Sequence, residues 1–140
     1  MSIIQLKKCF VLTAVAMLCV FSSNAQETFE KADYTQTEEL FVSEIKEKYR
    51  DATHNVPAFV CGAGSEHQGA SDDGEPQGTS GMPVLKLITA EELTNVAIVI
   101  TRYFGGIKLG TGGLARAYTH AAKLAIEQAG KCEVREGAAI

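Results

Sequence analysis

Two short segments of the sequence carry residue types that could bind an ion or perform acid–base chemistry. The first holds three carboxylates within four residues, Asp72, Asp73 and Glu75, inside a loop that contains several glycines. Carboxylates this close together can hold a divalent cation or act as an acid–base pair, although their spacing is not that of a calcium-binding loop. The alternative, which we favour, is that these acids are simply exposed or pair with Arg102 or Arg116 in the neighbouring loop.

The second segment, residues 101–118, is rich in glycine and locally basic. A predicted strand leads through a glycine-rich turn into a helix, and the free N–H groups at such a helix start suit a phosphate or a carboxylate. The alternative is that the glycines only form a sharp turn and pack the helix on the sheet. The segment fits neither the phosphate-binding loop signature nor a dinucleotide fingerprint in its usual context, so we expect no cofactor and no metal. The candidate binding residues of this segment are Arg102, Gly105, Gly106, Lys108, Gly110, Gly112, Gly113 and Arg116.

Hydrophobic periodicity predicts the elements that position both segments. Residues 96–100 are continuously apolar, which indicates a central strand covered on both faces. Pro57 cannot donate to a strand ladder and is expected at an edge or a strand start. Residues 62–78 are interpreted as one long polar loop, and Met82 is expected on the buried side of the helix that follows. Helices are predicted over residues 36–49, from Thr79 or Ser80 onward and over 114–128, and strands over 56–61, 95–103 and 131–135, as in a layered sandwich.

The first 25 residues have two interpretations. Two lysines precede an apolar run over residues 9–21, and small residues follow at 22–25, as in a secretory signal peptide. The run is too short for a comfortable membrane span. The alternative is that residues 8–21 hold the opening strand of the domain. We therefore interpret residues 1–25 as a signal-peptide-like or first-strand segment.

The charge of the chain is unevenly distributed. The formal net charge is −4, but residues 26–95 hold five Lys and Arg against fourteen Asp and Glu, whereas residues 96–140 hold six against three. This excludes a protein that grips nucleic acid along its whole surface. A local basic patch beside an acidic face remains compatible with the sequence.

Three blocks of characteristic residues occur in order along the sequence. They are Ala52-Thr53-His54-Asn55, then Asp72-Asp73-Gly74-Glu75-Pro76 with Gly78, Thr79, Gly81 and Pro83, then Thr101-Arg102-Tyr103-Phe104-Gly105-Gly106-Ile107-Lys108-Leu109-Gly110 with Gly112, Gly113, Leu114, Arg116, Ala117 and Tyr118. Together the blocks resemble the YigZ/Impact family over roughly residues 35–135. The resemblance implies an Impact N-terminal domain over residues 30–140, without the smaller C-terminal domain of bacterial YigZ proteins. It also implies an α+β two-layer sandwich similar to ribosomal protein S5 domain 2, with helices on one face of a mixed sheet.

The same resemblance implies a role in the regulation of translation. Eukaryotic members act through protein partners, and bacterial members are suspected of binding nucleic acid or ribosomes. We therefore expect a cytoplasmic domain whose partner is a translation-related protein or RNA, with export as the alternative if residues 9–21 belong to a cleaved signal. The family offers no agreed catalytic residue, so a binding role is favoured over an enzyme; the alternative is a metal-assisted hydrolase that uses residues 72–75. Carried over by position, the shared surface is His54, Asn55, Asp72, Asp73, Glu75, Arg102, Lys108 and Arg116.

Overall fold

The computed structural model describes the backbone of residues 3–6, 9–13, 16–20, 34–62 and 64–134, and the side chains of residues 39–62 and 64–131. Three helices and seven strands make up this part of the chain. In chain order they are β1 (Ile3–Leu6), β2 (Cys9–Thr13), β3 (Ala16–Val20), α1 (Tyr34–Lys48), β4 (His54–Cys61), β5 (His67–Ala70), α2 (Gly81–Ala90), β6 (Val96–Arg102), α3 (Gly110–Ala129) and β7 (Lys131–Val134).

Five strands form one sheet in the order β2-β3-β6-β4-β5, and β1 pairs with β7 in a separate two-stranded sheet. The α+β class predicted from the sequence is confirmed. Every described strand pair is antiparallel, so the sheet is not mixed. The reason is that β5 and β6 run in the same direction on either side of β4. Helix α2 carries the chain across β4 between them, and the two parallel strands never become neighbours.

The main core lies between one face of this sheet and helices α2 and α3. Side chains alternate between the two faces of a strand, so Ile98 and Ile100 of β6 enter this core while Val99 points the other way. Val99 packs instead against Ile45 of α1. Helices therefore cover both faces, as the continuous apolar run of β6 indicates, rather than one face. The largest members of the main core are Val56, Val60, Val84, Ile88, Leu93, Val96, Ile98, Ile100, Leu114, Tyr118 and Ile126.

Strand β4 is an interior strand, which the proline within it argued against. Pro57 pairs with Val99 of β6, and its carbonyl accepts a hydrogen bond from Ser71 N–H. An N–H group at position 57 would point in the same direction as this carbonyl, toward Ser71, which lies one residue beyond the end of β5. Proline therefore removes no hydrogen bond between β4 and β5, because β5 pairs only with residues 58–61.

Strand β5 lies within the segment that the sequence indicated as one continuous loop. Its residues, His67–Ala70, are half-exposed to exposed and carry no hydrophobic alternation, so periodicity gives no signal. Gly69 is required for close packing. A Cβ at Gly69 would lie 2.7 Å from Cζ of Phe59 on the neighbouring strand. Because glycine has no Cβ, the aromatic ring can lie over it.

Helix α2 begins at Gly81 with Ser80 at the N-cap, as predicted, whereas helix α3 departs from the prediction at its start. The buried stripe of α2 passes through Val84 and Ile88, and Met82 is exposed rather than buried. Helix α3 begins four residues earlier than predicted, at Gly110. The low helix propensity of glycine indicated a loop over residues 110–113, but packing of the apolar stripe of α3 on the sheet extends the helix through them.

Residues 8–21, which the sequence allowed as part of a signal peptide or as the opening strand, contain β2 and β3. Strand β3 pairs with β6 from Ala16 opposite Arg102 to Cys19 opposite Val99. The cleavage-like residues 22–25 lie outside the described residues, and the signal-peptide interpretation stays a prediction. No helix within the described part of the chain is long and apolar enough to cross a membrane.

Candidate functional site

Asp72, in the carboxylate loop (residues 71–80), fastens the start of helix α2. Its Oδ1 accepts hydrogen bonds from the N–H groups of Ser80 and Gly81 at 3.1 and 2.9 Å and from the Ser80 hydroxyl at 2.7 Å. Its Oδ2 accepts one from Gly78 N–H at 2.7 Å. Burial opposes ionisation of Asp72, but these hydrogen bonds outweigh it and hold the pKa of the carboxyl below its usual range. Asp72 therefore acts as a capping residue of α2, although Ser80 and not Asp72 occupies the N-cap position.

Asp73 joins the carboxylate loop to α1 and to β4. Its Oδ1 lies 2.7 Å from Lys46 Nζ, and its Oδ2 accepts a hydrogen bond of 2.6 Å from Asn55 N–H. Burial again opposes ionisation, but the hydrogen bonds and the charge of Lys46 outweigh it, so the pKa of Asp73 lies below its ordinary value. Asp73 also adopts a positive φ of 46°, a conformation that aspartate tolerates better than most residues.

Glu75 is the centre of a buried ionic group, the Glu75 cluster (His54, Glu75, Arg102 and Tyr118). The side chains of Glu75 and Arg102 are only 4% and 11% exposed. Glu75 Oε1 accepts hydrogen bonds from Arg102 Nη1 at 2.6 Å and Tyr118 Oη at 2.8 Å, and His54 Nε2 lies 3.6 Å away. Burial, followed by the bond to Glu75, raises the pKa of the Tyr118 hydroxyl far above its ordinary value. The predicted pairing of a loop acid with Arg102 is confirmed.

His54 and Asn55, at the start of β4, also make their contacts within the domain. His54 Nδ1 lies 2.8 Å from the backbone oxygen of Asp73. Because a carbonyl can only accept, this nitrogen carries the proton. The Asn55 amide donates to the Tyr49 carbonyl at 3.1 Å and accepts from the Thr101 hydroxyl at 2.7 Å. Two predicted blocks, residues 52–55 and 72–76, thus meet as one internal network.

The remaining predicted residues lie on a different surface, the exposed loop (residues 103–109) and the first turn of α3. Every residue from 103 to 112 is exposed to solvent. Four of them carry large apolar side chains, Tyr103, Phe104, Ile107 and Leu109, and Ile107 at 76% is the most exposed of the large hydrophobic residues within the described side chains. The structure thus separates the candidates into an internal network and an open surface.

The base of the exposed loop is held firmly. The Tyr103 hydroxyl donates to Asp51 Oδ1 at 3.0 Å, and Phe104 N–H donates to Thr53 Oγ1 at 3.0 Å. The Arg102 guanidinium lies 5.6 Å from the centre of the Phe104 ring, within cation–π range. These contacts fix where the loop leaves β6, and residues 105–109 project beyond them.

The first turn of α3 is open on the side that faces the exposed loop. Leu109 occupies the N-cap position without a side-chain hydrogen bond, and Gly110 has a φ of +70°, which favours glycine. Arg116 folds back toward this turn, because its Nη1 lies 3.6 Å from the point where a Cβ on Gly112 would stand. The exposed first turn of α3 thus lies next to Arg116, and Lys108 precedes it by two residues in the chain.

Sequence reasoning missed the partners that complete the internal network. Lys46 of α1 binds Asp73, but it is one of several charged residues of an amphipathic helix and carried no signal of its own. Tyr118 of α3 binds Glu75; it belongs to the third block of the resemblance, but its place in the apolar stripe of α3 indicated a core residue and not a partner of the loop. Only the tertiary fold brings them to the loop. The exposure of the apolar loop residues could have been inferred from the sequence, because Ile107 and Leu109 flank Lys108 in a segment with no periodic pattern.

The chain is similar to several known proteins. The Impact N-terminal domain family matches residues 20–126. The IMPACT family member YvyE of Bacillus subtilis is 49% identical over 83 residues, which is 59% of this chain and 38% of that protein. The IMPACT family member YigZ of Escherichia coli is 40% identical over 98 residues, 69% of this chain and 48% of that protein. A crystal structure of a hypothetical protein matches with a TM-score of 0.72 at 27% identity, over 95% of this chain and 64% of the other.

Fold and site together define a small α+β domain with a buried carboxylate network and an exposed apolar and basic loop. The chain belongs to the Impact N-terminal domain family. It spans less than half the length of the two curated relatives, YvyE and YigZ.

Proposed function

We propose that this chain is an Impact-type binding domain that acts in the regulation of translation. In this proposal it works in the cytoplasm and contacts a translation-related protein, RNA or the ribosome through the exposed loop and the first turn of α3. An anionic group of the partner would lie at the open helix start between Lys108 and Arg116, where N–H groups and the helix dipole favour negative charge.

One observation supports this choice of surface above the others. The exposed loop presents four large apolar side chains to solvent along seven consecutive residues. Contiguous exposed apolar surface in a soluble domain typically marks a site of interaction. The carboxylates of residues 72–75 are instead bound by groups of the same domain and have few free electron pairs to offer a ligand.

Co-sedimentation with ribosomes from the native host tests the proposal. We expect the double substitution Ile107→Asp and Lys108→Glu to abolish pelleting of the full chain, because it removes an apolar anchor and reverses a charge. Leu40→Asp is the control for the loss of an exposed apolar side chain, since Leu40 is 69% exposed on α1. Equal pelleting of both variants, at equal thermal stability, would show that the exposed loop is not the contact surface.

The metal-assisted hydrolase that residues 72–75 could form makes a different prediction. It requires Asp72 and Asp73 to exchange several N–H and O–H donors and Lys46 for a cation. Within the described side chains, no group of three His, Cys, Asp or Glu residues could hold a metal ion. Calorimetric titration of the full chain with Mg²⁺ and Mn²⁺ separates the two functions. Saturable uptake that Asp72→Asn removes would support the hydrolase, and the binding proposal predicts none.

A further inference from the structure

We infer that the exposed loop docks an acidic segment of a protein partner, one that places apolar anchor residues against the loop, rather than RNA. This inference rests on the proposed function and deepens it by naming the class of partner. It follows from the kind of apolar side chains on the loop, from the charges beside them, and from the way the loop is held.

Two aromatic residues of the loop, Tyr103 and Phe104, are held at its base by contacts within the domain, and the residues at its tip are aliphatic. Ile107 and Leu109, 76% and 44% exposed, stand on either side of Lys108. Single-stranded nucleic acid is held by stacking of bases on aromatic rings, and an aliphatic side chain offers no such face. Protein partners, in contrast, bury apolar side chains at the centre of an interface and surround them with polar contacts. Ile107 and Leu109 therefore suit a protein surface.

The charge beside the loop suits a few carboxylates. No carboxylate among the described side chains lies within salt-bridge distance of Lys108 or Arg116. Lys108 stands between the two aliphatic residues, and Arg116 lies beside the first turn of α3, so the apolar surface carries positive charge within it and next to it. An acidic side chain of a partner would complement this charge, as a carboxylate completes an N-cap.

The same charges are too few for RNA. Two cations that neutralise two phosphates of a single strand give a dependence of log K on log salt of only about −1.4, which indicates weak electrostatic attachment. Asp51 also lies beside the loop, bound to the Tyr103 hydroxyl, and its charge opposes a phosphate backbone. A partner with separate carboxylates can place them at Lys108 and Arg116 and avoid Asp51.

The loop is also organised before a partner arrives. Its base is bound to Asp51 and Thr53, and the Arg102 guanidinium lies over the Phe104 ring. A surface that is already ordered loses less conformational entropy on binding, which favours specific recognition of a folded or folding protein segment.

Site-specific photo-crosslinking tests the inference with the full chain and two probes, intact ribosomes from the native host and the ribosomal RNA extracted from them. A benzophenone amino acid replaces Ile107 in one variant and Leu40 in the control variant, both at strongly exposed positions. We expect a nuclease-resistant adduct from position 107 only, with intact ribosomes only, in a partner segment that carries carboxylates and apolar residues. Lys108→Glu should weaken binding roughly tenfold, the scale of one interface contact. Replacement of the cross-linked carboxylate by lysine should restore it.

The other outcomes separate this inference from the function on which it rests. A nuclease-sensitive adduct, equal binding to extracted RNA, or an adduct in a partner segment without carboxylates would overturn the inference and leave the binding function standing. Co-sedimentation without any adduct from position 107 would also overturn it, because the loop would not be the contact. If the chain neither co-sediments with ribosomes nor forms an adduct, the proposed function itself would be overturned.

Discussion

Removal of one charge from the Glu75 cluster should destabilise the whole domain. Glu75→Gln keeps the size and shape of the side chain but leaves the Arg102 guanidinium, 11% exposed, without its counter-ion. Arg102 Nε is already buried without a hydrogen-bond partner among the described residues, and the cation–π contact of the guanidinium with the Phe104 ring does not replace a counter-ion. The bond that Tyr118 donates to Oε1 also weakens, because a charged acceptor is stronger than a neutral one.

The magnitude follows from the burial of the pair. Breaking a buried ion pair by removal of one partner costs about 3–5 kcal/mol. Because the amide of glutamine can still accept one hydrogen bond, we expect the lower limit, about 3 kcal/mol. A domain of this size has a total stability of roughly 5–15 kcal/mol. The melting temperature should therefore fall by roughly 10 °C, as measured by circular dichroism and by urea unfolding.

Glu91→Gln is the matched control for this experiment. Glu91 pairs with Lys131, and the two side chains are 34% and 38% exposed. Surface ion pairs contribute at most about 1 kcal/mol, so the control should unfold within that margin of the parent protein. Equal losses of stability in Glu75→Gln and Glu91→Gln, or a gain in Glu75→Gln, would refute the reasoning that the cluster holds the carboxylate loop to the sheet.

Four further predictions follow from other parts of the domain. Asp73 has a lowered pKa in the folded state, so its contribution to stability is present above about pH 4 and is lost as the pH falls through the folded value; Asp73→Asn should make urea midpoints decline less steeply below about pH 4. Gly81→Ala should cost more than 2 kcal/mol, because its Cβ would lie 2.6 Å from a backbone oxygen. Gly112→Ala should instead stabilise the domain by about 0.5–1 kcal/mol in thermal melts. A chain that lacks residues 1–25 should aggregate in light scattering, because loss of β3 uncovers the edge of β6; a soluble, monomeric fragment of normal stability would contradict this.

The sequence predicts the elements wherever one face of an element is buried. The stripe of α3 through Leu114 and Tyr118 places that helix correctly, because burial of one face imposes a helical period, and the continuous apolar run places β6, because both of its faces are covered. Strand β5 escapes this reasoning, since an edge strand with Gly69 against Phe59 has no period to detect. The start of α3 escapes it too, because glycine propensity argued against a helix that tertiary packing supplies.

The residues of the candidate site could be predicted from the sequence, but their separation into an internal network and an exposed surface could not. Sequence proximity places Asp72, Asp73 and Glu75 together, yet each binds a different element. Asp72 holds α2, Asp73 holds α1 and β4, and Glu75 holds β6 and α3. Those partners lie up to 43 residues away in the chain. No local pattern distinguishes a carboxylate that a distant arginine neutralises from one that waits for a ligand.

Hydroxyl-radical footprinting of the full chain, with and without saturating native ribosomes, shows whether the exposed loop is the surface that contacts the ribosome. Exposed aromatic and aliphatic side chains are oxidised, and a partner that covers them protects them. We expect protection of Phe104, Ile107 and Leu109, with unchanged oxidation of Leu40 on α1 and of Met82, which follows the carboxylate loop. Protection of Met82 with an unchanged exposed loop would instead place the binding surface at the carboxylate loop.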